Sequence, residues 1–384
     1  GGEGFIMRGW IYLFAFVLLG SVVLGRTAQA QDIQIPYEEE LHIEEVQRTM
    51  DELLGQDSFS FREYIYQSLQ SESKFSIQDL LNKMMNVIKA QMETDKNRLI
   101  QFVGIGILAA VFTNFARVFR NRQVSEMGFY VTYLMMFSIS CASFYKITEI
   151  AAHTLENIIE FMRALIPAYY MAITFSAGVG SSGFFYQVTL ILIQVVEVLI
   201  MKGIFPLIRI FFVLSLINNL SQEDLLSKAI ELLDTIIRWT LKSLLGLITG
   251  YNIIQGLIAP IADTFKNRMT MKLVNVLPGV GNILGSAAET IFGAGIVLKN
   301  AMGAAGICVL ILLLAVPSLR IGFYSLLYKG ASALIQPISD KRIVECLNGT
   351  AKAAGLLLYA TFAAGVLFLL TILVVMATTN GRLG

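Results

Sequence analysis

A single carboxylate interrupts a long apolar run of this sequence. Glu197 lies within the run QVTLILIQVVEVLIMK, and Gln194 precedes it by about one helical turn. Ionisable side chains inside membrane-spanning segments are energetically costly, and by default they indicate a path for an ion or a solute. The alternative is an ion pair with Lys202 or Arg209 across a helix contact, because charges inside membranes commonly pair.

Catalytic motifs are missing from the sequence. It contains no P-loop, no H-E-x-x-H pair and no G-x-S-x-G turn. Ser71 and Lys74 match a serine–lysine pattern, but they lie in a polar, serine-rich stretch without the S-D-N and K-T-G elements. His42 and His153 are far apart, and no two cysteines form a C-x-x-C pair. We therefore expect no enzymatic activity, no metal and no cofactor.

The composition is that of a membrane protein. Of the 384 residues, 55% are hydrophobic and only 15% are charged, and the mean hydropathy is +0.66. Soluble domains carry about 25% charged residues. The net charge of +1 conceals a division, because residues 31–98 hold 14 acidic and 7 basic side chains, whereas the remainder to the C-terminus holds 13 and 20.

The N-terminal region has the pattern of a secretory signal peptide. Arg8 precedes the apolar run Trp10–Leu24, and the small-residue sequence AQA follows at Ala28–Ala30. This order predicts cleavage after Ala30, and an uncleaved anchor helix is the alternative. In both cases the acidic segment 31–98, which has amphipathic helical patterns, lies outside the cytosol.

Apolar runs long enough to cross a bilayer, about 20 residues each, follow one another from Leu99 onward. The predicted spans are Leu99–Val118, Phe129–Ile147, Phe184–Ile204, Leu207–Leu220, Leu244–Ala262, Gly295–Val316, Leu319–Ile335 and Ala353–Thr378. Leu207–Leu220 is short and could be half of a broken helix. Ala151–Met162 and Gln222–Thr240 are amphipathic, which predicts interfacial helices.

The placement of Lys and Arg gives an orientation, because cytosolic loops are enriched in both. Three basic clusters fall on the cytosolic side if the spans are counted in order, and the C-terminus then lies outside. These clusters are Arg117, Arg120 and Arg122; Lys266, Arg268 and Lys272; and Lys341, Arg342 and Lys352.

An internal repeat relates two parts of the apolar region. VLIMKGIFPLIRIFF at Val198–Phe212 and VLILLLAVPSLRIGF at Val309–Phe323 share seven of fifteen positions at an offset of 111 residues. The recurring Pro and Arg residues are Pro206 and Arg209 in the first copy and Pro317 and Arg320 in the second. Snorkelling of both arginines to the interface is the simple structural role.

The same offset defines repeat units over 129–222 and 240–333. Each unit would contain three crossings, and an odd number would place the second unit in the opposite orientation, as in many transporters. We therefore predict an all-α, polytopic membrane protein with an inverted-topology repeat and an exported N-terminal helical segment. The regions 99–128 and 334–384 supply a first span with its cytosolic loop, and a cytosolic loop with the last span.

Each repeat unit contains a stretch rich in small residues that begins near a proline, Leu165–Gly183 and Val276–Ala294. Paired Gly- or Pro-interrupted segments are the best sequence indication of a transport site. Close helix packing without a cavity is the alternative, because small residues also serve that purpose. The transport-path candidates are Glu197, Gln194, Pro167, Gly178, Gly180, Ser181, Ser182, Gly183, Pro278, Gly279, Gly281, Asn282 and Glu289.

This arrangement resembles the stage III sporulation protein AE family of endospore-forming bacteria. The resemblance depends on the signal peptide, the acidic helical segment, the paired P-x2-R-I-x-F elements and the stretch VLPGVGNILGSAAETIFGAG. It implies a permease-like component of the channel- or secretion-type complex that connects mother cell and forespore. It further implies a position in the outer forespore membrane, with a secretion-type ATPase, ring-forming proteins and a forespore-side protein as partners, and no nucleic acid.

Two other functions remain open from the sequence. One is a non-conducting membrane scaffold that anchors the ring-forming and ATPase partners. The other is a self-standing ion-coupled transporter, because energy must come from a partner or an ion gradient when the chain has no nucleotide site.

Overall fold

The computed structural model describes residues 42–54, 60–62, 65, 122–177, 179–220, 225–274, 281–337 and 339–378. The described residues are almost entirely helical and include no strand, which confirms the all-α prediction. The predicted signal peptide, most of segment 31–98 and the predicted span Leu99–Val118 lie outside the described residues. So do the candidate residues Gly178, Pro278 and Gly279.

The described helices are long. They are α1 (Ile43–Leu54), α2 (Arg122–Ala177), α3 (Val179–Glu197), a π-helical segment (Val198–Ile204), α4 (Phe205–Leu220), α5 (Ser227–Val274), α6 (Gly281–Ile335) and α7 (Lys341–Thr378). The α3 helix, the π-helical segment and α4 follow one another without interruption.

Three helical stretches of the described chain are long and apolar enough to cross a membrane. They are Tyr186–Leu220, Gly293–Ile335 and Lys341–Met376, with mean hydropathies of 2.2, 2.4 and 2.4. The sequence prediction of separate spans at Phe184–Ile204 and Leu207–Leu220 is wrong, because both lie in one continuous helix. The same correction applies to Gly295–Val316 and Leu319–Ile335. A proline removes one N–H group, and neighbouring packing lets a membrane helix continue through it.

The helix α7 lies at the centre of the bundle and packs against α2, α4, α5 and α6. Its contact with α6 is antiparallel. Ser332 donates a hydrogen bond to the carbonyl of Val344 near one end, and Gly365 packs against Leu314 further along. Small side chains at the contact allow the two helices to approach closely.

The helix α2 runs antiparallel to α6 and to the α3–α4 helix. Leu165 packs on Gly306, while Ser143, earlier in α2, lies near Tyr328, later in α6. On the other side, the rings of Phe144 and Phe212 stack with centroids 3.9 Å apart.

The helix α5 runs parallel to α7, since Ile248 lies beside Leu367 and Asn252 bonds to Thr371 one turn further along both helices. Because α7 and α2 are both antiparallel to α6, α2 and α5 point in the same direction. These are the corresponding helices of the two repeat units. The described helices therefore do not show the inverted arrangement that three crossings per unit would produce.

This geometry makes a prediction about topology. Position 272, near the end of α5, and position 341, at the start of α7, lie at opposite ends of the bundle. We expect Lys272→Cys and Lys341→Cys, in a chain whose own cysteines are serine, to react with a membrane-impermeant thiol reagent from opposite sides of the membrane. Reaction of both from the cytosolic side would instead support the orientation predicted from the sequence.

Candidate functional site

Glu197 is held by a cation from a neighbouring helix. Nη2 of Arg163, on α2, donates to Oε2 of Glu197 at 2.5 Å and to Oε1 of Gln194 at 3.2 Å. The Arg163 side chain is 50% exposed and that of Glu197 is 23% exposed. The sequence prediction that Gln194 and Glu197 share one helix face agrees with this arrangement, because both bind the same guanidinium.

The ion-pair partners suggested by the sequence were wrong. Neither Lys202 nor Arg209 pairs with Glu197; both are exposed, and neither forms an ion pair among the described residues. Arg209 and Arg320 also do not lie near helix ends. Arg320 lies well inside α6 and is partly buried, with an Nε that has no hydrogen-bond partner. Snorkelling of the two arginines to the membrane interface stays a prediction.

The Arg163–Glu197 pair lies where the α-helix changes to a π-helix. Within the π-helical segment the N–H of Phe205 bonds to the carbonyl of Ile200, five residues earlier. Pro206 follows directly, and it has no N–H with which to continue an α-helical ladder. The second repeat keeps its proline, Pro317, inside a regular α-helix, but it has Leu314 where the first has Gly203. Short π-helical insertions frequently occur at functional sites.

A charged face of α2 leads to this pair. Six side chains at spacings of three and four residues share about a third of the helix circumference, and all six are exposed. They are Lys146, Glu149, His153, Glu156, Glu160 and Arg163. We call this set the charged face of α2; it is about 26 Å long at 1.5 Å per residue.

The charged face of α2 lies beside the middle of an apolar span. Leu165 contacts Gly306 and Ser143 lies near Tyr328, so Glu156 is level with about residue 315, near the centre of Gly293–Ile335. If the bilayer is centred on this stretch, acidic and basic groups at that level require a water-filled cavity or a protein partner rather than lipid. The amphipathic pattern of Ala151–Met162 predicts an interfacial helix and does not by itself indicate this charged face.

A second polar region lies inside the bundle. Tyr170 and Thr189 share a hydrogen bond of 2.9 Å between α2 and α3, and Asn252 donates to Thr371 at 3.2 Å between α5 and α7. Thr189 and Thr371 both line a cavity of about 10 Å³, which is room for about one water molecule. Oδ1 of Asn252 is buried and has no hydrogen-bond partner among the residues that the structure describes.

Lys299 is a fully buried lysine that was not among the predicted site residues. Its Nζ lies 3.5 Å from the carbonyl oxygen of Met376, near the C-terminal end of α7. The last carbonyls of a helix have no partner within the helix and carry partial negative charge. Lys299 therefore stabilises the end of α7. The rule that singled out Glu197, a charge within a predicted span, would also have found it.

The two Pro-led stretches are helical where they are described. Pro167 lies inside α2, and the adjoining Tyr169 and Tyr170 are buried in close contacts, which favours the packing interpretation for that part. Gly180, Ser181, Ser182 and Gly183 belong to the first turns of α3, and Gly281, Asn282 and Glu289 to the first turns of α6. Only the backbone of these seven residues is described. The described contacts bring together Gln194 and Glu197 but no other pair of transport-path candidates.

An all-helical bundle with three described helices long and apolar enough to cross a bilayer has the architecture expected of an α-helical membrane protein. Residues 59–379 match the family described as stage III sporulation protein AE, and the chain belongs to that family. A relative is stage III sporulation protein AE of Bacillus subtilis (strain 168), which is 24% identical over 314 residues, covering 81% of this chain and 78% of the relative. No solved structure matches the chain. Family membership gives the protein a role in sporulation.

Proposed function

We propose that the chain is the permease-like membrane component of the channel- or secretion-type complex that connects mother cell and forespore. The observation that carries this proposal is the charged face of α2, level with the apolar centres of the spans and continued by Gln194 and Glu197. Charged groups at membrane depth are characteristic of solute and ion pathways. The role is non-enzymatic, and the driving energy comes from a partner ATPase or from an ion gradient.

The proposal includes a location and partners. The protein acts in the mother-cell membrane that becomes the outer forespore membrane, with segment 31–98 on the non-cytosolic side. There it meets ring-forming proteins, a secretion-type ATPase and a forespore-side protein. In this proposal each unit of the sequence repeat contributes two long helices. An inverted relation between the two units would require Lys272 and Lys341 to be accessible from the same side of the membrane.

Neutralising Glu197 tests the pathway. Glu197→Gln keeps a hydrogen-bonding side chain beside Arg163 but removes the negative charge. We expect the yield of heat-resistant spores to fall by roughly tenfold or more, the effect of about 1.4 kcal/mol on a transport barrier. The measurement pairs spore counts with immunoblots that verify unchanged protein level and membrane location.

The matched control is Glu231→Gln, which removes an exposed carboxylate near the start of α5. We expect it to leave spore yield unchanged. Normal sporulation of the Glu197→Gln strain would remove the support for a conduit that includes Glu197.

A membrane scaffold that anchors the ring-forming and ATPase partners is the second candidate. It is favoured by the close packing of α6, α7 and α2, where Gly306 and Gly365 leave no space beside Leu165 and Leu314, and by the small size of the cavity near Thr189. A scaffold predicts that damaging substitutions concentrate in 31–98, whereas a conduit predicts that they concentrate around Glu197.

A further inference from the structure

Two exposed faces of opposite charge lie on the outside of the bundle. Glu149, Glu156 and Glu160 form the acidic middle of the charged face of α2. On the α3–α4 helix, Lys202 and Arg209 project from an otherwise apolar exposed surface that includes Val198 and Val213. None of these five charged side chains forms an ion pair or a hydrogen bond within the described part of the chain.

The two faces have matching heights along the bundle. Phe144 stacks on Phe212 and Arg163 binds Glu197, and these contacts align the antiparallel helices at two levels. Between these levels Lys202 lies at the height of Glu156, and Arg209 at the height of Glu149. Both pairs are separated by seven residues, so the spacing of the cations equals the spacing of the carboxylates.

Copies of a protein in one membrane share their orientation, so each residue has the same height in every copy. We propose that the acidic face of α2 in one copy binds the basic face of the α3–α4 helix in the next copy, with Glu156 opposite Lys202 and Glu149 opposite Arg209. This contact joins two different surfaces, and repetition of such a contact closes a ring when the rotation permits. It requires no transport activity, although it uses the charged face of α2 that also supports the proposed conduit.

Lipid cannot satisfy these groups. Lys, Arg and Glu level with the centre of an apolar span are retained where they pair with one another or face water. Charge pairs across an interface also fix register and exclude wrong partners. The exposed apolar side chains around Lys202 and Arg209 supply close packing at the same contact, so the second copy covers a surface that is apolar with two cations at fixed heights.

Charge reversal tests the proposal in the full chain. We expect Glu156→Lys and Lys202→Glu, each alone, to lower the fraction of chemically cross-linked multimers in native membranes by about tenfold, the effect of about 1.4 kcal/mol. The double variant restores opposite charges at every contact and is expected to recover most of the multimer. Unchanged multimers in both single variants, or a double variant no better than either, would overturn the proposal. Recovery of the multimer in the double variant distinguishes a broken contact from a misfolded chain, because a misfolded chain would not recover.

Disulfide trapping identifies the contacting surfaces. The native thiols at 141, 308 and 346 are replaced by serine, and a chain carrying Glu156→Cys is co-expressed with a differently tagged chain carrying Lys202→Cys. Oxidation by copper phenanthroline and dioxygen removes two protons and two electrons from the facing thiols and joins the two tags. The control chain carries Leu326→Cys, an equally exposed site on α6.

The expected product contains both tags and forms only for the pair at 156 and 202. Products at equal yield with the Leu326→Cys chain, or cross-links confined to a single chain that carries both cysteines, would contradict the contact between copies. Spore formation is measured separately. Cross-linking at 156 and 202 together with normal sporulation of the Glu197→Gln strain would support the assembly and reject the conduit. Absence of this cross-link together with poor sporulation of that strain would reject only the assembly.

Discussion

Replacing Gly365 with alanine is expected to lower the free energy of unfolding by about 1–2 kcal/mol. A Cβ atom at this position would lie 3.0 Å from Cγ of Leu314 and closer still to both methyl carbons of that side chain. Leu314 is 1% exposed, so its side chain is enclosed by other groups. Overpacking of this kind costs about 1–3 kcal/mol, and the helix-forming advantage of alanine over glycine offsets only about 0.5–1 kcal/mol.

The measurement is thermal unfolding of the detergent-solubilised protein, compared with Gly250→Ala. A Cβ atom at Gly250, on α5, would meet nothing within 4 Å, so alanine there should be neutral or stabilising. Gly365→Ala in a Leu314→Ala background should lose most of its effect, because the obstructing side chain is gone. A Gly365→Ala protein as stable as the wild type would show that α6 and α7 do not pack at this distance.

The features of the fold that depend on local sequence were predictable, whereas those that depend on contacts between helices were not. The apolar runs and their helical character follow from composition and length, and five of the predicted spans lie almost entirely within the three stretches that the structure defines. The central position of α7 was not predictable, although its run of alanines and glycines between Ala353 and Gly365 indicates close approach. Which helix occupies the centre depends on contacts between distant residues, and no local pattern specifies them.

The span boundaries failed for a local reason. Pro206 and Pro317 were interpreted as ends of spans, but both helices continue, one through a π-helical segment and the other as a regular α-helix. The odd number of crossings per repeat unit, and with it the inverted arrangement, depended on those boundaries. The effect of a proline depends on its neighbours, and Gly203 beside Pro206 marks the copy in which the helix widens.

Only part of the candidate site could be predicted from the sequence. Glu197 and Gln194 could be named because an isolated polar side chain in an apolar run has few explanations. Arg163 could not, because it is 34 residues away in sequence and directly follows Ala151–Met162, which was predicted to be an interfacial helix. The repeat indicates that the Arg163–Glu197 pair belongs to the first repeat unit alone, since Cys308 occupies the position in the second unit that corresponds to Glu197.

Reversing Arg163 to glutamate is expected to be the most damaging single charge change in the bundle. It places a second carboxylate next to Glu197, where a guanidinium now donates to Glu197 and Gln194. Because the pair is part exposed, its loss alone would cost about 1 kcal/mol or less, but enforced repulsion and the unsatisfied Glu197 raise the cost to about 1–3 kcal/mol. The readouts are melting temperature in detergent and yield of heat-resistant spores.

The swapped pair, Arg163→Glu with Glu197→Arg, separates structure from transport. The swap restores an ion pair between the same two helices, so we expect the melting temperature to recover in both functional models. If Glu197 serves only to hold α2 against α3, spore yield recovers as well. If the charge at 197 lies on the path of a solute, a cation at that position keeps spore formation low in a protein that is folded and correctly located. Recovery of both properties would therefore reject the conduit at this position, whereas recovery of stability alone would support it.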